Sequence, residues 1–107
     1  MAARKLVKNV YLTTTEFPKN ESFGIVSQIR RACISIAANI AEGAGRGTNK
    51  DFSRFLEIAN GSSYESECLL ILAGDLKYLS NEKQLSLTSS VREIQKMISG
   101  LKKSLKD

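Results

Sequence analysis

Histidine is absent from this sequence of 107 residues, and proline and cysteine are scarce. Without histidine, the chain lacks the commonest general base and the commonest metal ligand of proteins. The single proline, Pro18, leaves long stretches free of helix breakers. No apolar run approaches the roughly 18 residues of a membrane span, and the N-terminus lacks the apolar centre of a secretory signal. We therefore expect a cytoplasmic protein without metal or cofactor and without a membrane partner.

The two cysteines, Cys33 and Cys68, lie within predicted helices among apolar neighbours. We expect both to be small, reduced core residues, with a disulfide or a metal-binding pair as the alternative. The aromatic residues also follow helical spacing, which favours core packing over base stacking. They are Tyr11, Phe17, Phe23, Phe52, Phe55, Tyr64 and Tyr78.

Positive charge exceeds negative charge, and the excess lies in one half of the chain. The formal net charge is +5, and residues 1–50 hold eight Lys or Arg against three acids, whereas residues 51–107 hold eight of each. Lys102, Lys103 and Lys106 form a further basic cluster near the end of the sequence. A basic surface can bind nucleic acid through its phosphates, although a charge of this size can also serve solubility alone.

Hydrophobic periodicity predicts four helices and no strand. The first covers residues 3–16 and ends before Pro18. The second is capped by Asn20 and runs to about Ala44, and the third begins after Thr48 and runs to about Leu79, either unbroken or divided at residues 61–63. The fourth follows a cap at Ser80 or Asn81 and repeats apolar residues every three or four positions. Short connections between long helices predict one domain over residues 1–107, an all-α antiparallel up-down-up-down four-helix bundle.

The second helix carries an unusual polar row beside its apolar stripe. Lys and Glu usually dominate the wet face of a helix, whereas this row contains amide, guanidinium, hydroxyl and carboxylate groups, which suit fixed hydrogen bonds. Its members recur at spacings of three and four: Gln28, Arg31, Ser35, Asn39 and Glu42. We assign the row to subunit contacts or to buried polar pairing, with Arg46 or Arg31 as the expected partner of Glu42.

Three glycines follow the polar row, in the segment Glu42-Gly43-Ala44-Gly45-Arg46-Gly47. A nucleotide-binding P-loop needs G-x-x-x-x-G-K-[ST] after a strand, and neither the spacing nor the predicted context fits. A helix C-cap and a tight turn explain these glycines, and Arg46 and Lys50 could still contact a phosphate near the next helix. No nucleophile–base pair or metal cluster is evident, so we assign no catalytic residue and place an enzyme third among the possible functions.

Two sequence blocks resemble a known family. The first contains Phe17-Pro18, then Gln28, Arg31, Ser35, Asn39, Glu42 and Gly43, and the second contains Phe55, Leu56, Ala59, Gly61 and Ser62. Both closely resemble the four-helix bundle proteins encoded by open reading frames within intervening sequences of bacterial 23S rRNA genes. Two departures are small: the family commonly has proline at or near Ala38, and its usual L-x-E-L appears as Ser63-Tyr64-Glu65-Ser66.

The resemblance implies an antiparallel bundle that assembles into a ring, expected to be a homopentamer. A related branch is similar to accessory proteins of diversity-generating retroelements, which form basic pentameric barrels and bind reverse transcriptase and nucleic acid. We expect a non-enzymatic homo-oligomer that binds RNA or DNA, with a protein-interaction scaffold as the alternative. The expected phosphate contacts are Arg4, Lys5, Lys8, Arg30, Arg46, Lys50 and Arg54.

Overall fold

A computed structural model describes residues 2–106. Four α-helices make up most of this part of the chain: α1 (Ala2–Thr14), α2 (Ile25–Ala44), α3 (Asn49–Asp75) and α4 (Asn81–Ser104). A short 3₁₀ turn at Lys19–Glu21 lies between α1 and α2, and residues 2–106 contain no strand. The predicted all-α class is confirmed.

Contacts between side chains show that successive helices are antiparallel. Gly43 near the end of α2 lies against Phe55 near the start of α3. Arg92 of α4 donates to Glu67 of α3 at 2.8 Å, and Lys102 lies 3.7 Å from Glu57, so α4 runs back along α3. The helices therefore form the predicted up-down-up-down four-helix bundle, with α1 and α3 beginning at the end where α2 and α4 finish.

Apolar residues of all four helices form one core. The largest fully buried side chains include Leu6 of α1, Ile29 and Ile36 of α2, Leu70 of α3 and Ile94 of α4. The repeat predicted for α4 is buried from Leu87 to Ile98, whereas Leu101 and Leu105 are half-buried.

The caps predicted for α3 and α4 are present. The Thr48 hydroxyl accepts from the backbone N–H of Asp51, and the Ser80 hydroxyl accepts from that of Lys83, each at 3.1 Å. Helix α3 continues unbroken through residues 61–63. Each cap satisfies a backbone N–H in the first turn of its helix.

The predicted start of α2 at Asn20 is wrong. Asn20 lies in the 3₁₀ turn, and α2 begins only after Gly24, whose φ of −103° and ψ of −115° are not helical. Glu21 does not occupy the first turn of α2; its carboxylate accepts a 2.7 Å hydrogen bond from the Tyr78 hydroxyl. This bond, with burial, raises the pKa of Tyr78 and ties the α1–α2 connection to the α3–α4 turn.

Helix α3 ends four residues before the predicted Leu79. Lys77 adopts a left-handed φ of 65° and its N–H donates to the Gly74 carbonyl, while the N–H of Tyr78 donates to the Ala73 carbonyl. These two bonds form a Schellman motif, which ends a helix by satisfying its last carbonyls. Leu79 remains buried although it lies outside the helix.

Two expectations about the core are wrong in part. Cys33 is buried, but Cys68 is exposed, and both thiols are free. Among the aromatic residues, Phe17 is buried, whereas Phe23 is fully exposed and Tyr64 is 58% exposed. Phe23 lies in the connection before Gly24, and Tyr64 lies on the side of α3 away from the core.

Candidate nucleic-acid interface and polar row

Most of the predicted phosphate contacts lie at one end of the bundle. We call this the basic end: the end where α1 and α3 begin and α2 and α4 finish. Residues 2–8, 39–57 and 98–106 form it, and within these ranges nine cations outnumber three acids, Glu42, Asp51 and Glu57. The cations are Arg4, Lys5, Lys8, Arg46, Lys50, Arg54, Lys102, Lys103 and Lys106. The opposite end, residues 15–24 and 75–83, holds four acids and three cations. Positive charge is therefore concentrated at one end of the bundle.

Helix α1 supplies Arg4, Lys5 and Lys8, all exposed within its first two turns. Arg4 and Lys8 flank an open groove between α1 and α2, close to Ala41. Because the side chains at positions 4 and 8 are four residues apart, they extend from the same face of the helix. A phosphate-bearing strand could contact both from solvent.

The turn after α2 and the start of α3 bring three further cations together. Arg46 forms an ion pair with Glu42 at 3.3 Å, as predicted. Its guanidinium carbon also lies 5.0 Å from the centre of the Phe55 ring, and that of Arg54 lies 5.2 Å from the same ring. These cation–π contacts hold the two guanidinium groups beside Phe55, and Arg54 also lines a cleft with Lys50 in the first turns of α3. The positive N-terminus of a helix favours an anion.

Two lysines in the last turn of α4 and one just after it belong to the same surface, although the sequence-based site assignment omitted them. Lys102, Lys103 and Lys106 line a cleft with Ser99 and with Asn60 of α3. The predicted antiparallel order already placed the last turn of α4 beside the first turns of α3. That order is the signal that could have added these three lysines to the site.

Arg30 lies apart from the other predicted contacts. Its Nε donates to the Thr14 hydroxyl at 3.0 Å, and its guanidinium carbon lies 4.3 Å from the centre of the Tyr11 ring. The structure therefore places this half-buried side chain between the end of α1 and the first half of α2. Its contacts there join two helices of the same bundle.

Within the polar row, the central residues pair with each other and with α3. The Ser62 hydroxyl donates to the Ser35 hydroxyl at 2.9 Å, and the Asn39 amide donates to the Ser35 carbonyl and hydroxyl at 2.8 and 3.0 Å. Both Ser35 and Asn39 are half-buried. The hydrogen bonds of Ser35 and Asn39 are therefore made within one chain.

The outer members of the row are exposed. Arg31 forms an ion pair with Glu65 of α3 at 3.0 Å, Glu42 pairs with Arg46, and the Gln28 side chain faces solvent. Exposed ion pairs of this kind contribute about 0–1 kcal/mol. The subunit-contact role of these three residues remains a prediction.

Two ionisable residues outside the basic end, Cys33 and Glu67, make helix–helix contacts. Burial raises the pKa of the Cys33 thiol, which a hydrogen bond to Ser66 only partly offsets. Hydrogen bonds from Gln95 and Arg92 lower the pKa of Glu67. No group of three His, Cys, Asp or Glu residues within residues 2–106 is placed to hold a metal ion. No helix in that range is long and apolar enough to cross a membrane.

Comparisons with known proteins agree with this architecture. The crystal structure of a protein of unknown function from the S23 ribosomal protein family of Bacteroides thetaiotaomicron is similar, with a TM-score of 0.80 and 28% identity. The match covers 94% of this chain and 91% of that one. No curated protein matches the sequence. The model of the 23S rRNA-intervening sequence protein family matches residues 1–100. The chain therefore belongs to the 23S rRNA-intervening sequence protein family.

Proposed function

We propose that this protein is a non-enzymatic, self-associating cytoplasmic bundle whose basic end binds RNA or DNA through phosphate contacts. The observation that carries this proposal is the convergence at one end of cations from α1, from the turn after α2, from the start of α3 and from the end of α4. Six of the seven expected contacts lie there, and Lys102 and Lys103 of α4 join them with Lys106 just after that helix. Arg30 has a separate role, since it connects α1 to α2.

The chemistry of the basic end favours phosphate over base recognition. Lys and Arg contacts to phosphate carry no sequence information directly, and base readout needs side chains that reach base edges or stack on them. Phe55 is half-buried, and its ring already contacts Arg46 and Arg54 of the same chain, so it does not offer a free face on which a base could stack. We therefore expect binding with little sequence preference.

The salt dependence of binding tests this proposal. Each phosphate contact contributes about 0.9 to the slope of log K against log salt for duplex DNA, and about 0.7 for single strands. The double variant Lys50→Gln/Lys103→Gln should weaken binding on all sequences alike and lower that slope by about 2 on duplex DNA. Fluorescence anisotropy at several salt concentrations measures both quantities.

A matched control keeps the same change of charge. Lys19→Gln/Lys83→Gln removes two exposed lysines from the opposite end, and it should leave the slope close to that of the unmodified chain. Equal losses of affinity in the two double variants would show that the nucleic acid is attracted by the net charge of the protein and not by the basic end. An unchanged slope in Lys50→Gln/Lys103→Gln would reject phosphate contact at the basic end.

The second candidate is a protein-interaction scaffold, which an open apolar groove between α1 and α2 favours. A protein partner such as a reverse transcriptase, which the family resemblance implies, belongs to this alternative. Pull-down from native lysate with and without nuclease separates the candidates. Partners lost after nuclease treatment support the nucleic-acid proposal, whereas partners that remain bound support the scaffold.

A further inference from the structure

A small cleft beside the end of α4, at the margin of the basic end, collects positive charge and has no carboxylate in its lining. Its volume is about 220 Å³, and we call it the α3–α4 cleft: Asn60, Ile98, Ser99, Lys102, Lys103 and Lys106. Sites that enclose a whole organic ligand usually occupy about 300–1,000 Å³. The α3–α4 cleft is therefore suited to one small charged group of a larger molecule.

The backbone of α4 places most of the polar side chains of this cleft. Residues 99, 102, 103 and 106 follow helical spacing, so their side chains lie on one side of α4. Helix α4 ends at Ser104, and the N–H of Lys106 still donates to the Lys103 carbonyl at 3.3 Å. Asn60 faces these residues from α3 and is half-buried, whereas Lys103 and Lys106 are exposed.

The end of a helix explains only part of this arrangement. The last carbonyls of a helix carry partial negative charge, which accounts for lysine in the last turn of α4. It does not account for an amide and a hydroxyl among the lysines. Within residues 2–106, no hydrogen bond uses the Asn60 amide or the Ser99 hydroxyl. Every polar side chain that lines the cleft can therefore donate to an anion.

Net charge distinguishes the α3–α4 cleft from its neighbour. Glu57 lies 3.7 Å from Lys102, which leaves the two positive charges of the other lysines unmatched. The same carboxylate lines the neighbouring cleft, where Lys50 and Arg54 exceed it by one charge. A phosphodiester within a strand carries one negative charge, whereas a terminal phosphate carries about −1.5 to −2 at pH 7. The neighbouring cleft thus fits the backbone of a strand, and the α3–α4 cleft fits its phosphorylated end.

We propose that the α3–α4 cleft binds the terminal phosphate of a nucleic acid strand. Lys103 and Lys106 pair with its two negative charges, and the Asn60 amide donates to a third phosphate oxygen. An internal phosphodiester can enter the same cleft, but it leaves one cation unmatched. This proposal rests on the phosphate binding assigned above to the basic end, and it adds a preference for phosphorylated ends.

Oligonucleotides of one sequence and length test this preference. One carries a phosphate at its 5′ end, another carries it at its 3′ end, and a third has hydroxyls at both ends. An added exposed ion pair contributes up to about 1 kcal/mol, so a phosphorylated end should lower the Kd about fivefold. Fluorescence anisotropy with an internal label measures each Kd. Equal values for all three oligonucleotides would overturn the proposal.

Two variants of similar shape separate the cleft from general attraction to charge. Asn60→Asp adds a carboxylate to the α3–α4 cleft, and Asn49→Asp adds the same charge to the neighbouring cleft. Asn60→Asp should abolish the difference between phosphorylated and hydroxyl ends, because the charge that remains fits a phosphodiester. Asn49→Asp should weaken binding of all the oligonucleotides alike and keep the difference. Equal changes of this difference in the two variants would overturn the assignment to the cleft.

Exposed lysines provide a second pair of variants, which leaves the core untouched. Lys103→Gln should reduce the difference between phosphorylated and hydroxyl ends, whereas Lys50→Gln should lower affinity without changing that difference. Circular dichroism should show equal helix content in both variants. A difference that is unchanged in Lys103→Gln would overturn the pairing of this lysine with the terminal phosphate.

The pH dependence tests whether the doubly charged phosphate is the ligand. The charged groups at the cleft are Lys102, Lys103 and Lys106 of α4 and Glu57 of α3. Lysine and glutamate side chains ordinarily change charge outside the range from about pH 5 to pH 8, and the chain has no histidine. A terminal phosphate has its second pKa near about 6. The fivefold difference should therefore decrease as the pH falls through this value, and a difference independent of pH would overturn the charge match.

A free nucleotide tests the source of the phosphate. AMP carries the same phosphate monoester without a strand, so it should bind more weakly than the phosphorylated oligonucleotide. Equal affinity for AMP would overturn the strand end as the ligand. The proposed function is judged separately: equal Kd values for phosphorylated and hydroxyl ends, with a steep salt slope, would overturn the end preference alone. Binding that does not depend on salt would overturn both.

Discussion

Replacement of Gly43 by alanine should destabilise the bundle, although alanine is the better helix former. A Cβ atom at this buried position would lie 2.7 Å from Cβ of Phe55 and 3.0 Å from Cδ1 of Phe52. The Phe52 ring could turn away, but Cβ of Phe55 is fixed to the α3 backbone. Relief of the collision therefore requires α2 and α3 to move apart at their closest approach.

The magnitude follows from two opposing contributions. Alanine in place of glycine favours the helix by about 1 kcal/mol, and overpacking of a close contact costs about 1–3 kcal/mol. Because backbone must move, the upper part of that range applies, and the free energy of unfolding should fall by about 2 kcal/mol. For a domain of this size, the midpoint of thermal unfolding should fall by about 10 °C.

Urea and thermal unfolding followed by circular dichroism measure this change at equal chain concentration. Gly100→Ala is the matched control, because a Cβ atom there meets nothing within 4 Å. That variant should keep or raise stability, by at most about 1 kcal/mol. If Gly43→Ala were as stable as Gly100→Ala, the close approach of α2 to Phe55 would be refuted.

Two further predictions concern ionisable side chains. Burial and the raised pKa of Cys33 should make it unreactive, so a disulfide reagent should modify one thiol per native chain, Cys68, and two after denaturation; equal rates in the native chain would contradict this. The lowered pKa of Glu67 gives stability that is present above the unfolded pKa of about 4.3 and lost as pH falls through the folded pKa. Glu67→Gln should therefore reduce stability at neutral pH, and urea unfolding should show a smaller difference from the unmodified chain in acid. A difference that stays constant with pH would reject this assignment.

Local signals were sufficient to predict most of the fold, and distant contacts account for the errors. The caps at Thr48 and Ser80 depend on residues three positions away, so the sequence could reveal them. The connection before α2, where the prediction failed, is held by Glu21, whose partner Tyr78 lies 57 positions further along the chain. A left-handed Lys77 is also hard to foresee, because glycine is the residue expected at such a helix end.

The positions of the site residues were predictable where they depended on the order of the helices. They were less predictable where they depended on which side of a helix meets the core. Antiparallel order brings the first turns of α1 and α3 together, so most of the cations converge as a consequence of topology. Cys68 was misplaced because α3 has two apolar faces with the same spacing. Ile58 and Leu72 recur as regularly as Leu56 and Leu70, and periodicity alone cannot tell which pair meets the core.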